Sequence, residues 1–367
     1  MKQGQGKGIS MTQQIKMGLL FLAFWLPGCV PEPVQNRSLA PANGREVFFC
    51  FWNVENFFDN VADKHSFEAD KEYDHWFSKN PADFRLKVDR LTEIIMKMNG
   101  GKGPDILALA EVEEASRSPE ILMAALNSRL ENADPYTSIA FKNPHGGRAI
   151  ATCVISKIPI KQNQVTLLGK RLRILEVPIL LDGKELLVVA SHWTSKVSDK
   201  DGASRKKYAD QIHGNYIAMA RNNPDIDYLV CGDFNANPEE EPLEKNLKSQ
   251  ASAKRTLNIA SGVQKNSTPS AWLEFPLYNP FVRFRKEDKG TLYYRNKPDV
   301  FDQILVSPGL LDSKGWSLVE NSAAIYNSNP PADAKGHPKR FGNEKTKAGA
   351  RGYSDHFPVT AKFKVNP

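Results

Sequence analysis

The sequence predicts an α/β domain built on two sheets, with helices laid outside them. Short runs rich in Val, Ile, Leu and Phe, bounded by Gly, Pro, Asn and Asp, recur along the chain as strands do. Amphipathic helical patterns interrupt these runs. No shift of composition divides residues 46–367, and the runs are too many for one small sheet. No internal repeat is present. Hydrophobic residues make up 41% and charged residues 25% of the 367, which is enough apolar material for a sizeable core.

Taken from the start, residues 1–28 are not part of that domain. Lys2, Lys7 and Lys16 precede the apolar run Met17–Leu26, which ends in LPGC, the pattern of a secretory signal. The run is shorter than the about 20 residues of a membrane-spanning helix. It resembles a bacterial lipoprotein signal: Leu26 and Gly28 fit the lipobox, Pro27 is an unusual occupant of it, and Cys29 would become the lipidated first residue. The alternative is an ordinary signal with an incidental cysteine. With no Asp after Cys29, the resemblance implies a lipid anchor in the bacterial cell envelope, at the outer membrane or cell surface. Residues 29–45, rich in Pro, Asn and small polar residues, read as a disordered tether. Loss of residues 1–28 removes three lysines and no acid, so the net charge falls from +7 to +4. That charge permits a polyanionic partner without identifying one.

The folded part, 46–367, opens with a strand at Val47–Asn53. Further strands are predicted at Asp105–Ala110, Tyr136–Phe141, Ile150–Ser156, Leu172–Leu181, Glu185–His192, Tyr228–Cys231, Thr291–Tyr294, Phe301–Ser307 and Phe357–Val365. A helix is predicted over 81–99, where Pro81 suits the first turn, Phe84, Val88, Leu91, Ile95 and Met98 recur at helical spacing, and Gly100-Gly101 ends the pattern. Two more run from Pro119 to Leu130 and from Ala203 to Arg221. Cys50, Cys153 and Cys231 lie in strand-like runs without CxxC or Cys/His spacing, so they read as buried free thiols rather than a zinc site.

Polar residues collect at the ends of these strands. Asn53 and Glu55 end the first in FWNVENFF, Glu111 ends DILALAEVEE, and His192 ends LLVVASHW. Asp233 and Asn235 end YLVCGDFNANP, one residue apart and so expected on one face; Asp302 lies inside VFDQILVS, and Asp355 and His356 open the last strand in GYSDHFPV. A turn, a cap or a salt bridge explains any one of them, and a turn is the ordinary reading of GDFNANP taken alone. All of them at strand tips, each against an apolar run, supply oxygen ligands for Mg²⁺ or Mn²⁺, two imidazoles and an amide. These are the parts of metal-assisted attack on a phosphate.

In the order WNVEN, LAEVE, SHW, GDFNANP, FDQILVS and SDHFPV, these motifs resemble the endonuclease/exonuclease/phosphatase superfamily, which includes deoxyribonuclease I-like enzymes, from about Val47 onward. The resemblance implies a four-layer α/β sandwich, two mixed sheets face to face with helices outside, acting as an Mg²⁺-dependent phosphoric ester hydrolase with Mn²⁺ as the alternative ion. It implies that Glu111 is the principal metal ligand, assisted by Asn53, with Glu55 as a second candidate and Asp355 as a metal or water ligand. Asp233 would orient or deprotonate the attacking water, and Asn235 would hold it and the phosphate. His356 would contact the scissile phosphate, with Asp302 fixing its tautomer and charge. His192 would bind phosphate or serve the leaving group; the acid that orients such a histidine is not found in Tyr136–Arg148.

Substrate choice falls to the loops. Lys200, Arg205, Lys206 and Lys207 follow SHW, and Lys335, Lys339, Arg340, Lys345, Lys347 and Arg351 precede SDH, so both runs are expected to rim the cleft; Arg148 would reach a phosphate or pair with an acid. A long basic rim suits nucleic acid as substrate. The alternatives are a lipid or inositol-phosphate phosphoesterase, which an exposed apolar hairpin beside the cleft would favour, and an inactive anchored binding module. The aromatic stretch Trp272–Tyr294 is expected to belong to core strands leading to Asp302, with a membrane or base-stacking surface as the alternative. A monomer without a protein partner is expected.

Overall fold

The computed structural model describes residues 44–131, 134–328 and 330–366. The signal at 1–28, the lipidation site Cys29 and the tether as far as residue 43 lie outside the described residues. The first strand, Arg45–Phe57, begins slightly earlier than the sequence suggests, because Arg45 already pairs with Val365 of the last strand.

Two mixed seven-stranded sheets carry the fold. In the first, the lateral order is Trp316–Leu318, Val359–Val365, Arg45–Phe57, Ile106–Glu113, Ile150–Ser156 and Ser138–Phe141, with Ala324–Ile325 paired to Val359–Val365. In the second it is Thr166–Leu167, Ile174–Leu181, Lys184–His192, Tyr228–Asp233, Asp302–Val306, Leu277–Tyr278 and Ser249–Gln250. Alternate residues of each strand point inward, and the two inner faces share one core: Phe49, Phe51, Ala108 and Val154 of the first sheet pack with Val177, Val188, Cys231 and Ile304 of the second. Each such buried aliphatic or aromatic side chain contributes about 1.5–3 kcal/mol.

Helices cover both outer faces, which completes the four layers. Phe84, Val88, Leu91 and Ile95 of the helix Pro81–Lys97 pack on Cys50, Trp52, Leu107 and Leu109. On the other side, Ile212, Tyr216 and Ile217 of Ala203–Ala220 pack on Val189, Val230 and Leu305. The third expected helix is Ser118–Asn127. Two long helices are absent from the sequence reading, as are the short Pro269–Trp272 and Val282–Lys286. Glu68–Lys79 buries Tyr73, Trp76 and Phe77 but is otherwise charged, and Ala253–Asn266 buries only Thr256, Ala260 and Val263. Neither carries the run of aliphatic residues that marked the helix after Pro81.

One strand needs correction. Leu292–Tyr294 does not join either sheet; it pairs only with Lys297–Asp299, forming a two-stranded hairpin whose Tyr294 is 63% exposed. The three cysteines are free and buried, as expected. Among the described residues, no helix is long and apolar enough to cross a membrane.

Candidate active site

Strand register sets out the centre of the site. His192 ends one strand directly opposite Asp233, and Asp233 in turn stands opposite Asp302, the first residue of the next strand. Side chains in lateral register lie on one face, so the three form a row across the tip of the second sheet. From the first sheet, Asn53 meets this row: its amide nitrogen donates to Asp233 Oδ2 at 3.0 Å and to Glu111 Oε1 at 3.3 Å. Glu111 sits in a bulge at φ 61°, a conformation costly for a residue with a side chain, and the kink aims its carboxylate out of the ladder.

His356 closes the constellation. Its Nδ1 lies 2.7 Å from Asp302 Oδ2 and its Nε2 lies 3.8 Å from Asp233 Oδ2. Sequence reasoning missed what fixes the ring's backbone. Trp52 Nε1 donates to the His356 carbonyl at 2.9 Å, and the Ser354 hydroxyl donates to the Asn53 carbonyl while accepting from His356 N–H. Only the small hydroxyl two residues before His356 could have signalled this.

Asn235 reconciles the two readings of GDFNANP. The strand stops at Asp233, and Asn235 lies beyond it in the left-handed region at φ 47°. The same-face expectation therefore fails for Asn235, which is placed by a turn. Its N–H donates to Asp233 Oδ1 at 2.9 Å and its amide donates to the Trp193 carbonyl at 3.1 Å. The turn is the device that fixes the Asp233 carboxylate.

Burial and charge set the protonation states. Burial disfavours a charged His356, but Asp302 and Asp233 outweigh it, and the imidazolium is held well above its usual range. His192 Nε2 lies 3.8 Å from Glu111 and 3.7 Å from Asp233, beyond hydrogen-bond reach of either. Burial and the neighbouring Arg173 push it down to about 3, so the ring is neutral, and among the described residues its Nδ1 has no hydrogen-bond partner. Among the described residues no acid bonds His192 Nδ1, in keeping with the lack of an orienting acid in Tyr136–Arg148. Burial pushes the Asp233 carboxyl up, against the pull of His356. Burial also opposes ionisation of Glu111, yet nearby positive charge and the Asn53 amide hold it below the carboxylate range. A neutral His192 lends no charge, so that lowering rests on Arg148, His356 and the Asn53 amide.

Glu111 and Asp233 converge on a single amide, and Asp302 and Asp355 stand close by with His356 as the charged ring. This excess of oxygen donors fits a hard divalent cation, with Glu111 and Asn53 as the residues to hold it. Asp233, Asp302 and His356 also bring ligand-type atoms within 4.8 Å of one another.

Other predicted residues are placed differently. Glu55 is not aimed at this centre: its buried carboxylate accepts from Arg340 Nε at 3.0 Å and from the N–H groups of Phe341 and Gly342. It anchors the loop before SDH, which takes up three of its acceptor sites. Asp355 pairs with Arg340 at 3.3 Å and lies 3.9 Å from His356 Nε2. Arg148 bonds Asp70 at 2.7 Å and Asn56 at 2.6 Å. Its pairing with an acid is realised, and it reaches Glu111 only through its charge. The basic rim is thinner than expected. Arg205 is buried against Asp199, Lys206 pairs with Glu241, and Arg351 is buried against Asp83 and over the Trp76 ring.

Comparison with known proteins follows the same lines. The Endonuclease/Exonuclease/phosphatase family profile matches residues 48–364. No curated protein matches the chain. Among solved structures, truncated TDP2 from Caenorhabditis elegans is 13% identical, covering 88% of this chain and 99% of that one at a TM-score of 0.48. A mutant beta toxin from Staphylococcus aureus with bound magnesium ions is 15% identical, covering 88% and 100% at 0.47. An endonuclease/exonuclease/phosphatase family protein from Bacteroides thetaiotaomicron is 13% identical, covering 88% and 99% at 0.49.

Proposed function

The chain belongs to the Endonuclease/Exonuclease/phosphatase family, and from that premise we propose that it is a metal-dependent phosphodiesterase acting as a nuclease. The observation that carries the reaction class is the His356–Asp302 pair at 2.7 Å, set beside Asp233 and within the same cluster as Glu111. A divalent ion, held by Glu111 and Asn53 when bound, would offset negative charge on the phosphate.

The chain's own residues do the rest. Asp233, fixed by the Asn235 N–H and the Asn53 amide, orients a water and takes its proton as the water oxygen attacks phosphorus. His356, kept charged by Asp302, hydrogen-bonds a phosphate oxygen and gives its proton to the leaving oxygen as the ester bond breaks. The proton gained by Asp233 can return to His356 across 3.8 Å, which restores both groups. His192, neutral, positions a phosphate oxygen by hydrogen bonding rather than by charge.

Support for nucleic acid over lipid comes from what borders the cleft. Tyr294, the one large exposed apolar residue lining the cavity there among the described residues, is followed by Arg295, Asn296 and Lys297 rather than by an apolar tip. Lipidation of Cys29, with residence in the bacterial envelope, is proposed from the sequence alone. The test compares plasmid, single-stranded RNA, sphingomyelin and inositol phosphates with Mg²⁺ and with EDTA. Hydrolysis of a nucleic acid that EDTA abolishes is expected; full activity in EDTA would end the metal requirement.

A further inference from the structure

Beside the catalytic row lies a cavity of about 740 Å³ between the Leu292–Asp299 hairpin and the loop before SDH. Tyr293, Tyr294, His337, Lys339, Arg340 and Asp355 are among its lining residues. The catalytic residues reach it at Asp355, whose carboxylate is 3.9 Å from His356 Nε2. The hairpin is mounted on the catalytic backbone itself. The Thr291 carbonyl accepts from Phe357 N–H at 2.8 Å, and the Thr291 hydroxyl accepts from the N–H groups of Phe301 and Asp302 at 3.1 Å. Whatever fills the cavity is therefore held at a fixed offset from the ring that contacts the phosphate.

The lining has two kinds of group. Tyr293 stacks on His337, with ring centres 4.3 Å apart and planes 25° apart, which braces an aromatic wall. Tyr294 is 63% exposed, and the Arg295 guanidinium sits 5.3 Å from its ring centre. Arg340 is already shared between Glu55 and Asp355, while Lys339 lines the cavity with no ion-pair partner among the described residues. An exposed aromatic ring and an uncommitted cation lining one cavity, opening from a phosphate site, match a base joined to a phosphate. Ligand pockets run from about 300 to 1,000 Å³, so the space suits one or two nucleotides.

We propose that this cavity is a base-binding subsite that takes an unpaired base adjacent to the scissile phosphate, making single-stranded nucleic acid the preferred substrate. The inference rests on the nuclease reading. In a duplex both faces of a base are covered by its neighbours, so a side-chain ring can stack only on a base that is splayed out.

The experiment uses the whole protein with three substrates: a short single-stranded oligonucleotide, the same sequence as a duplex, and bis-4-nitrophenyl phosphate. Stacking is worth about 1–3 kcal/mol per base, so Tyr294→Ala is expected to raise KM for the single strand about 5- to 150-fold. The loss on the small ester should be at least fivefold smaller, and Tyr294→Phe should restore the oligonucleotide KM to within about twofold, since it keeps the ring. As a measurement independent of turnover, a 2-aminopurine oligonucleotide should be quenched on binding to Asp233→Asn protein and not to the same protein carrying Tyr294→Ala. A wild type that cleaves the small ester but no nucleic acid sinks the nuclease reading itself. If nucleic acid is cleaved but Tyr294→Ala shifts all three substrates equally, or none, the subsite alone is overturned. Loss of sphingomyelin-vesicle hydrolysis in Tyr294→Ala with oligonucleotide KM unchanged would assign the hairpin to a membrane and overturn it likewise.

Discussion

At the strand tips, His192, Asp233 and Asp302 stand side by side because the ladder puts them in register. Across the cleft, in the loop from Asp333 to Arg351, position depends instead on acids far away in the chain. Arg340 is held by Glu55, 285 residues earlier, and Arg351 by Asp83. The first region is organised by backbone pairing, and its side chains bond within the site itself, to Asn53, Asn235 and His356. The second is organised by its own side chains, so many of its charges are spent before any substrate arrives. A charged residue near a cleft is available for binding only if the fold has not already paired it.

The largest effects should follow changes in the row. His356→Ala is expected to lower kcat on bis-4-nitrophenyl phosphate by about 10²–10⁴, the range for acid–base groups. Asp302→Asn should fall in the same range, because it removes the carboxylate that charges and orients the ring. The double variant should lose far less than the product of the two, since residues that act as a unit are not additive. Near-full kcat for either single variant, read from steady-state kinetics, would break the assignment of catalysis to the row.

A smaller effect of a different kind is expected from Arg340→Ala. Glu55 is 1% exposed and would keep the N–H groups of Phe341 and Gly342 but lose its guanidinium. The Arg340 side chain is itself 66% exposed, so solvent screens the pair and the expected loss is about 1–2 kcal/mol in a urea melt. The comparison is sharpened if stability falls while kcat on the small ester stays within about tenfold of wild type. A hundredfold loss of kcat with an unchanged melt would show that Arg340 belongs with the row after all.

How much of this was legible in the sequence depends on how local each signal is. The helix after Pro81 and the strands carrying Glu111, His192 and Asp233 show their period and their stop signals within a few residues, and the sequence locates each to within about three residues at either end. The hairpin at Leu292–Tyr294 was misread because a short aromatic strand looks the same whether its partner is a core strand or Lys297–Asp299. The family resemblance makes Glu55 a second candidate for the metal. Its actual partners lie in the Arg340–Gly342 segment, and no local pattern announces them. The same holds for Arg148 with Asp70 and for Arg205 with Asp199, where burial decides between a rim cation and a structural one.

The smallest effect separates paired from unpaired cations directly. A cation that contacts a phosphate displaces about one condensed counterion, so removing it flattens the dependence of log Kd on log salt by about 0.7–0.9. Lys339 lines the cavity without an ion-pair partner among the described residues, so Lys339→Ala should change the slope by about that amount on a single strand. Lys206 sits 2.7 Å from Glu241, with both side chains partly exposed. Removing it also frees an acid and takes away a charge that was already neutralised, so Lys206→Ala should leave the slope where it was and change stability little. Equilibrium binding to Asp233→Asn protein between low and moderate salt reads both slopes without turnover. Equal slope changes in the two variants would mean that the pairing seen at Lys206 does not hold in solution. The contrast between a rim spent on the fold and a rim left for substrate would then fail at its simplest instance.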